Sequence, residues 1–350
     1  MKKVLLWALC CLASLAFLAG GAWGGMYCVS DAGSLQACLT EAEANEADDI
    51  IKVVQGTYNG HFSYPSTEGH SITLLGGYTP GTSCTERELD PAKTVLDGGG
   101  TANVLYLYNG GAIQVDGFTI KNGNSGGAAG GVYASTVAGG DVTLTNNIIT
   151  GNIAGTYGGG VYAHSYLNSG AGGTITLTNN IITGNSAGDD GGGVYAYSET
   201  VSGVAGDVIL TANTITGNYA NTFGGGVWAV SEATGSGLAG AVFLTDNIIA
   251  ENTAYSDCGG GVWAESYSDS GSAGRVTLIN NMVTGNTAAM YGGGVFALSA
   301  SDSGWANTIT LTNNTITGNA VGADGGGGLD IIDLRINNGT VELFLLYYGA

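Results

Sequence analysis

The stretch VTLTNNIITGN, from Val142 to Asn152, decides the fold. Val142 and Leu144 alternate with Thr143 and Thr145, a period of two with a β-branched bias, which reads as a half-buried strand. Asn147 marks a bend, since asparagine tolerates left-handed backbone. Ile149 then points inward from a second short strand. The stretch returns without gaps as ITLTNNIITGN at 175, VILTANTITGN at 208, VFLTDNIIAEN at 242, VTLINNMVTGN at 276 and ITLTNNTITGN at 309, with starts 33, 33, 34, 34 and 33 residues apart. Six copies at so constant a period mean one supersecondary unit stacked on itself.

A second motif travels with the first: GGVYA at 130, GGGVYA at 158 and 191, GGGVWA at 224 and 259, GGGVFA at 292 and the decayed GGGGLD at 325. It supplies a third strand, with Val161 and Ala163 inward and Tyr162 outward, after glycines that admit backbone geometry a side chain would obstruct. Three short strands and three bends make one coil. Such coils stack as a parallel β-helix with strands about 4.8 Å apart, so each repeat position forms a ladder along the axis. A propeller blade needs about 40 residues and four longer strands, which this period does not provide.

Two ladders of asparagine follow from the alignment. Asn147, Asn180, Asn213, Asn247, Asn281 and Asn314 occupy one bend, and Asn152, Asn185, Asn218, Asn252, Asn286 and Asn319 another. Stacked amides hydrogen-bond from coil to coil, so both ladders are structural. The segments 135–141, 166–173, 198–207, 231–241, 266–275 and 299–307 are read as loops along one edge. Residues 25–103 are expected to hold the first, irregular coils and a capping helix that opens at Ser34. Regular repeats are expected over 104–330, with a terminal segment over 331–350 that caps the last coil or pairs with another chain.

The 350 residues include 64 Gly and only 3 Pro, without the every-third spacing of collagen, and 44% are hydrophobic, too many for ordinary disorder. Residues 1–24 read as a signal peptide: Lys2 and Lys3, an apolar run, then small residues before Gly24. That run is short of the roughly 20 residues that span a bilayer. The expected location is therefore extracellular, outer cell surface or periplasm, with no transmembrane segment in the mature chain.

With 8 Lys plus Arg against 28 Asp plus Glu, the net charge of −20 argues against nucleic acid as a partner. From 122 to 334 the only Lys or Arg is Arg275, which argues against polyuronate as well. Cys28, Cys38, Cys84 and Cys258 follow the leader. Several coils separate Cys258 from the others, beyond the roughly 7 Å between Cα atoms that a disulfide allows, so any pair forms among Cys28, Cys38 and Cys84.

The pairing of GG(G)VYA with NNIITGN over about 104–330 resembles the repeat of polymorphic outer-membrane proteins and related right-handed parallel β-helix proteins of the pectin-lyase-like class. The leading portion, with VVQGTY at 53 and TVLDGGG at 94, is similar to the N-terminal portion of secreted bacterial members. The resemblance implies an all-β, right-handed parallel β-helix. It leaves function open among lyases, hydrolases, adhesins and passive stalks. Self-exporting members end in a membrane β-barrel, for which the residues after 330 leave no room.

Three constellations are candidates for chemistry. Asp189 and Asp190, in the turn before a glycine motif, are candidate calcium ligands; no other cofactor is expected. Tyr133, Tyr162, Tyr195, Trp228, Trp263 and Phe296 form an outward aromatic stripe on which sugars could stack. Thr-x-Thr rows resemble ice-binding surfaces but are interrupted by Ile209, Phe243, Ala250 and Ile279. No cluster of Asp or Arg on adjacent coils is evident, so no catalytic residue is assigned. The expected function is an exported adhesive or structural module that takes a glycan or another cell-surface component, with self-association through its C-terminal edge. The alternative is a polysaccharide lyase or glycoside hydrolase, and a remote one an ice-binding protein.

Overall fold

The computed structural model describes residues 24–322, 327, 329–337 and 340–348. The expected leader, apart from residue 24, lies outside the described residues. The chain is a parallel β-solenoid with coils of about 33 residues. Each regular coil contributes to four sheets rather than the three expected. In the coil that opens at Val142 these strands are Val142–Thr145, Ile148–Thr150, the two-residue Ile153–Ala154 and, after the glycines, Val161–Leu167. We number the sheets 1 to 4 in that order; they hold 10, 9, 7 and 10 strands. Sheet 3 was not foreseen because a two-residue strand is too short to show a period.

Parallel pairing places identical repeat positions above one another: Val142 on Ile175, Ile149 on Ile182, Ala154 on Ala187, and Val161 on Val194. One apolar core runs the length of the solenoid, and Val142, Leu144, Ile149, Val161 and Ala163 are wholly buried in it. The glycine triplets let coils meet closely. Gly158 has a φ of +66°, and a Cβ on Gly159 would lie 2.4 Å from the carbonyl oxygen of Gly192 in the next coil.

The first bend corrects the sequence reading in one detail. The left-handed residue is the one before the ladder asparagine: Asn146, Asn179, Ala212, Asp246, Asn280 and Asn313 have φ between 53° and 56°. Asn147, Asn180, Asn213, Asn247 and Asn281 instead turn inward and are buried, and Asn314, on the last regular coil, is half-buried. Each bonds two coils. Asn180 Nδ2 donates to Leu144 O at 2.9 Å and to Asn213 Oδ1 at 3.0 Å, and Asn180 N donates to the same Oδ1 at 2.9 Å. The second ladder repeats this: Asn218 Nδ2 donates to Ile182 O and Asn252 Oδ1, both at 3.0 Å.

A serine ladder, unread in the sequence, lengthens sheet 4. Its strands run Val161–Leu167, Val194–Thr200, Val227–Ala233, Val262–Ser268 and Val295–Ser301, well into segments expected to be loops. Ser165, Ser198, Ser231, Ser266 and Ser299 point into the core. Ser231 Oγ donates to Gly206 O at 2.9 Å and accepts from Gly240 N at 2.8 Å, and the other four repeat this pattern. Buried hydroxyls satisfied in this way extend the strand past its last apolar residue.

At the N-terminal end the helix Ala32–Ala42 lays Leu35, Leu39 and Ala42 against the first strands. Its N-cap is Asp31, not Ser34: Asp31 Oδ1 accepts from Ser34 N at 2.9 Å, while Ser34 Oγ closes the reciprocal capping box. A disulfide joins Cys28 to Cys84, and Cys38 and Cys258 stand outside it. At the other end Leu329–Asn337 pairs parallel with the last regular strand of sheet 4, and Thr340–Tyr348 folds back antiparallel on it. Among the described residues no helix is long and apolar enough to cross a membrane.

Candidate functional site

The outer face of sheet 4 carries a row of aromatic side chains with acidic side chains near it. Because Val161, Ala163 and Ser165 point inward, Tyr162, His164 and Tyr166 point out, and strand register turns these positions into three rows along the solenoid. The first row is Tyr106, Tyr133, Tyr162, Tyr195, Trp228, Trp263 and Phe296, which includes every residue of the expected stripe.

The rings of this row stack on one another. Centroids from Tyr106 through Tyr133, Tyr162 and Tyr195 to Trp228 are 4.6, 4.9, 5.1 and 4.2 Å apart, and the planes are within 13° of parallel. Trp263 stacks on Phe296 at 4.1 Å. Between Trp228 and Trp263 the stack is broken, although their strands pair in register. Phe223, from the turn of the preceding coil, tilts against Trp263 at 4.7 Å instead. Most ring faces are therefore covered by neighbouring rings, Tyr195 being only 8% exposed, while Trp228 is half-buried at the end of the stack, with Tyr197 edge-on to it at 5.5 Å.

The second and third rows bring together three glutamates that sequence reasoning passed over. His164, Tyr197, Val230, Glu265 and Leu298 form the second row, and Tyr166, Glu199, Glu232, Tyr267 and Ala300 the third. Glu199, Glu232 and Glu265 thus stand on three successive coils. The sequence hides them, because Ser198, Ser231 and Ser266 read as the starts of loops and mask the period-two alternation that continues through them. The repeated V-Y/W/F-A-x-S was the available signal.

Each glutamate is held by an aromatic or imidazole neighbour. Trp263 Nε1 donates to Glu265 Oε2 at 2.9 Å, and the Tyr197 hydroxyl donates to Glu232 Oε2. His164 stacks on Tyr197 at 5.3 Å, and its Nε2, buried and bonded to nothing, lies 3.7 Å from Glu199 Oε2. Burial pushes the Glu265 carboxyl up to about 7 and raises that of Glu232, with Glu199 and Asp269 adding repulsion at Glu232. Arg275 offers no relief, since it lies over Phe243 on sheet 1.

The other candidates are placed as follows. Asp190 Oδ1 accepts from Thr222 Oγ1 and, at 3.1 Å, from Phe223 N in the next coil, and burial raises its pKa. Among the described residues no three His, Cys, Asp or Glu side chains are grouped to hold a metal ion. The threonines share the outer faces of sheets 1 and 2 with exposed Ile181, Ile248 and Met282.

No protein-family model and no curated protein sequence matches the chain. Among solved structures, the crystal structure of Escherichia coli YbhC is similar at 12% identity and a TM-score of 0.33, over 86% of this chain and 87% of that one. The fold is read here from the chain's own strand pairing.

Proposed function

We propose that the protein is an exported, non-catalytic β-helix module of the cell surface or extracellular space that binds glycan along the aromatic row of sheet 4. The observation that carries this reading is the break in the ring stack at Trp228 and Trp263. A sugar presents C–H groups to an aromatic face, and Trp228, half-buried where the continuous stack ends, is the ring of the row placed to meet one. Export is supported by the leader read over 1–24 and by the Cys28–Cys84 disulfide, since such bonds persist in oxidising compartments. The reading is tested by titrating tryptophan fluorescence with cellohexaose, with calcium and with chelator because Asp189 and Asp190 are candidate ligands. A saturable change in the parent that is lost in Trp228→Ala supports it; no change under either condition contradicts it.

A hydrolase is favoured by one observation, three carboxylates on successive coils, of which Glu265 is held at about 7, as a general acid requires. Release of reducing ends from the same oligomer, lost in Glu265→Gln, would establish that reading in place of binding alone.

A further inference from the structure

Resting on the glycan reading, we infer that the outer face of sheet 4 selects glycans that carry positive charge, an amino-sugar polymer above all. Stacked rings and uncompensated carboxylates are the two components of a site for organic cations, the rings through their negative faces and the carboxylates through charge-assisted hydrogen bonds. Here both lie on the same three strands. Tyr195, Trp228 and Trp263 occupy the first row, and Glu199, Glu232 and Glu265 stand beside them.

Two features of the face favour a cationic occupant, its uncompensated carboxylates and the aromatic surface beside them. Glu232 and Glu265 are partly buried, and among the described residues their side-chain hydrogen bonds come from the neutral donors Tyr197 and Trp263. Their raised pKa values follow from that arrangement, because nothing cationic offsets the cost of burial. His164 Nε2 lies 3.7 Å from Glu199 and pairs with it when protonated, so the carboxylates left without a cationic partner are Glu232 and Glu265. Trp228, half-buried at the end of the stack that begins at Tyr106, supplies an aromatic surface on the same strand as Glu232. A polymer suits the site better than a single cation, because Glu199, Glu232 and Glu265 stand on three successive coils.

The test compares three hexamers with one β-1,4 backbone: cellohexaose, fully N-acetylated chitohexaose and fully deacetylated chitohexaose, titrated by calorimetry at a pH where most amines of the last remain charged; a bound amine then takes the place of the proton that Glu265 holds below about 7. The deacetylated hexamer is expected to bind about tenfold more tightly than the two neutral ones, the scale of a single charge-assisted hydrogen bond. In the double variant Glu232→Gln with Glu265→Gln that preference should fall to about twofold or less. Glu251→Gln, which removes one carboxylate from an exposed bend and is the control for each single substitution, tests the general acidity of the chain and should leave the preference intact. A thermal melt of each variant separates loss of fold from loss of binding, and the single Glu265→Gln substitution is measured if the double variant does not fold. Equal affinity for charged and neutral hexamers overturns the inference while leaving glycan binding in place. So does a preference that Glu251→Gln erases equally. If none of the hexamers binds, the glycan reading fails as well.

Discussion

Trp228 and Trp263 occupy the same register position on neighbouring strands, yet their rings do not stack. One step earlier, Tyr195 lies between Tyr162 at 5.1 Å and Trp228 at 4.2 Å and is almost wholly covered. The two positions should therefore separate on substitution. Tyr195→Ala removes a ring packed on both faces and should lower stability by about 3 kcal/mol in urea unfolding. Trp228→Ala should cost less and should act mainly on ligand binding.

The asparagine ladders carry stability rather than binding. Asn218 Oδ1 accepts from Asn185 N at 2.9 Å and Asn185 Nδ2 at 3.0 Å, while its own amide donates to Ile182 and Asn252. Asn218→Ala leaves several of these buried groups unpaired, and at about 1–3 kcal/mol for each such group the total loss should be 3 kcal/mol or more. Urea unfolding measures it. A variant that unfolds like the parent but loses glycan affinity would reverse the assignment.

Glu265 should make stability depend on pH in the direction opposite to that of a salt-bridged acid. Its folded pKa of about 7 lies above the ordinary 4.5, so between those values the folded state holds a proton that the unfolded state has lost. Its contribution is fully present below about 4.5, falls as pH rises toward 7, and is absent above. Glu265→Gln keeps a neutral acceptor for Trp263 Nε1 and removes this dependence. The stability of the variant minus that of the parent should be larger at pH 8 than at pH 5 by on the order of 1–3 kcal/mol, read from denaturant melts of both proteins at the two pH values.

Glu251 is strained where its counterparts are not. It has a φ of 57° at a bend filled by glycine in the other five copies, where Gly151, Gly184, Gly217, Gly285 and Gly318 have φ of 63° to 66°. Left-handed backbone costs a residue with a Cβ about 1–2 kcal/mol, and glycine's larger loss of entropy on folding returns part of that. Glu251→Gly should stabilise the protein by about 0.5–1 kcal/mol. A lower melting temperature would show that its side chain does more than its backbone costs.

The sequence disclosed what repeats and hid what depends on depth. Val142, Leu144, Ile149 and both asparagines recur at one period, so the coil and its ladders could be read from one alignment. Sheet 3 escaped because Ile153–Ala154 is shorter than any period. The site escaped because Ser165, Ser198 and Ser231 look like loop residues, although their hydroxyls are buried and paired across coils. Once the serine is taken as inward, Glu199 and Glu232 fall on the outer face two residues beyond Tyr197 and Val230, beside the rings already identified.

The most direct test is a crystal structure of the protein soaked with deacetylated chitohexaose. A sugar ring resting on the Trp228 face at the break before Trp263, with an amine within hydrogen-bond distance of Glu232 or Glu265, is the predicted result. A hexamer bound on another sheet, or on sheet 4 away from Trp228 and the glutamates, would contradict the account.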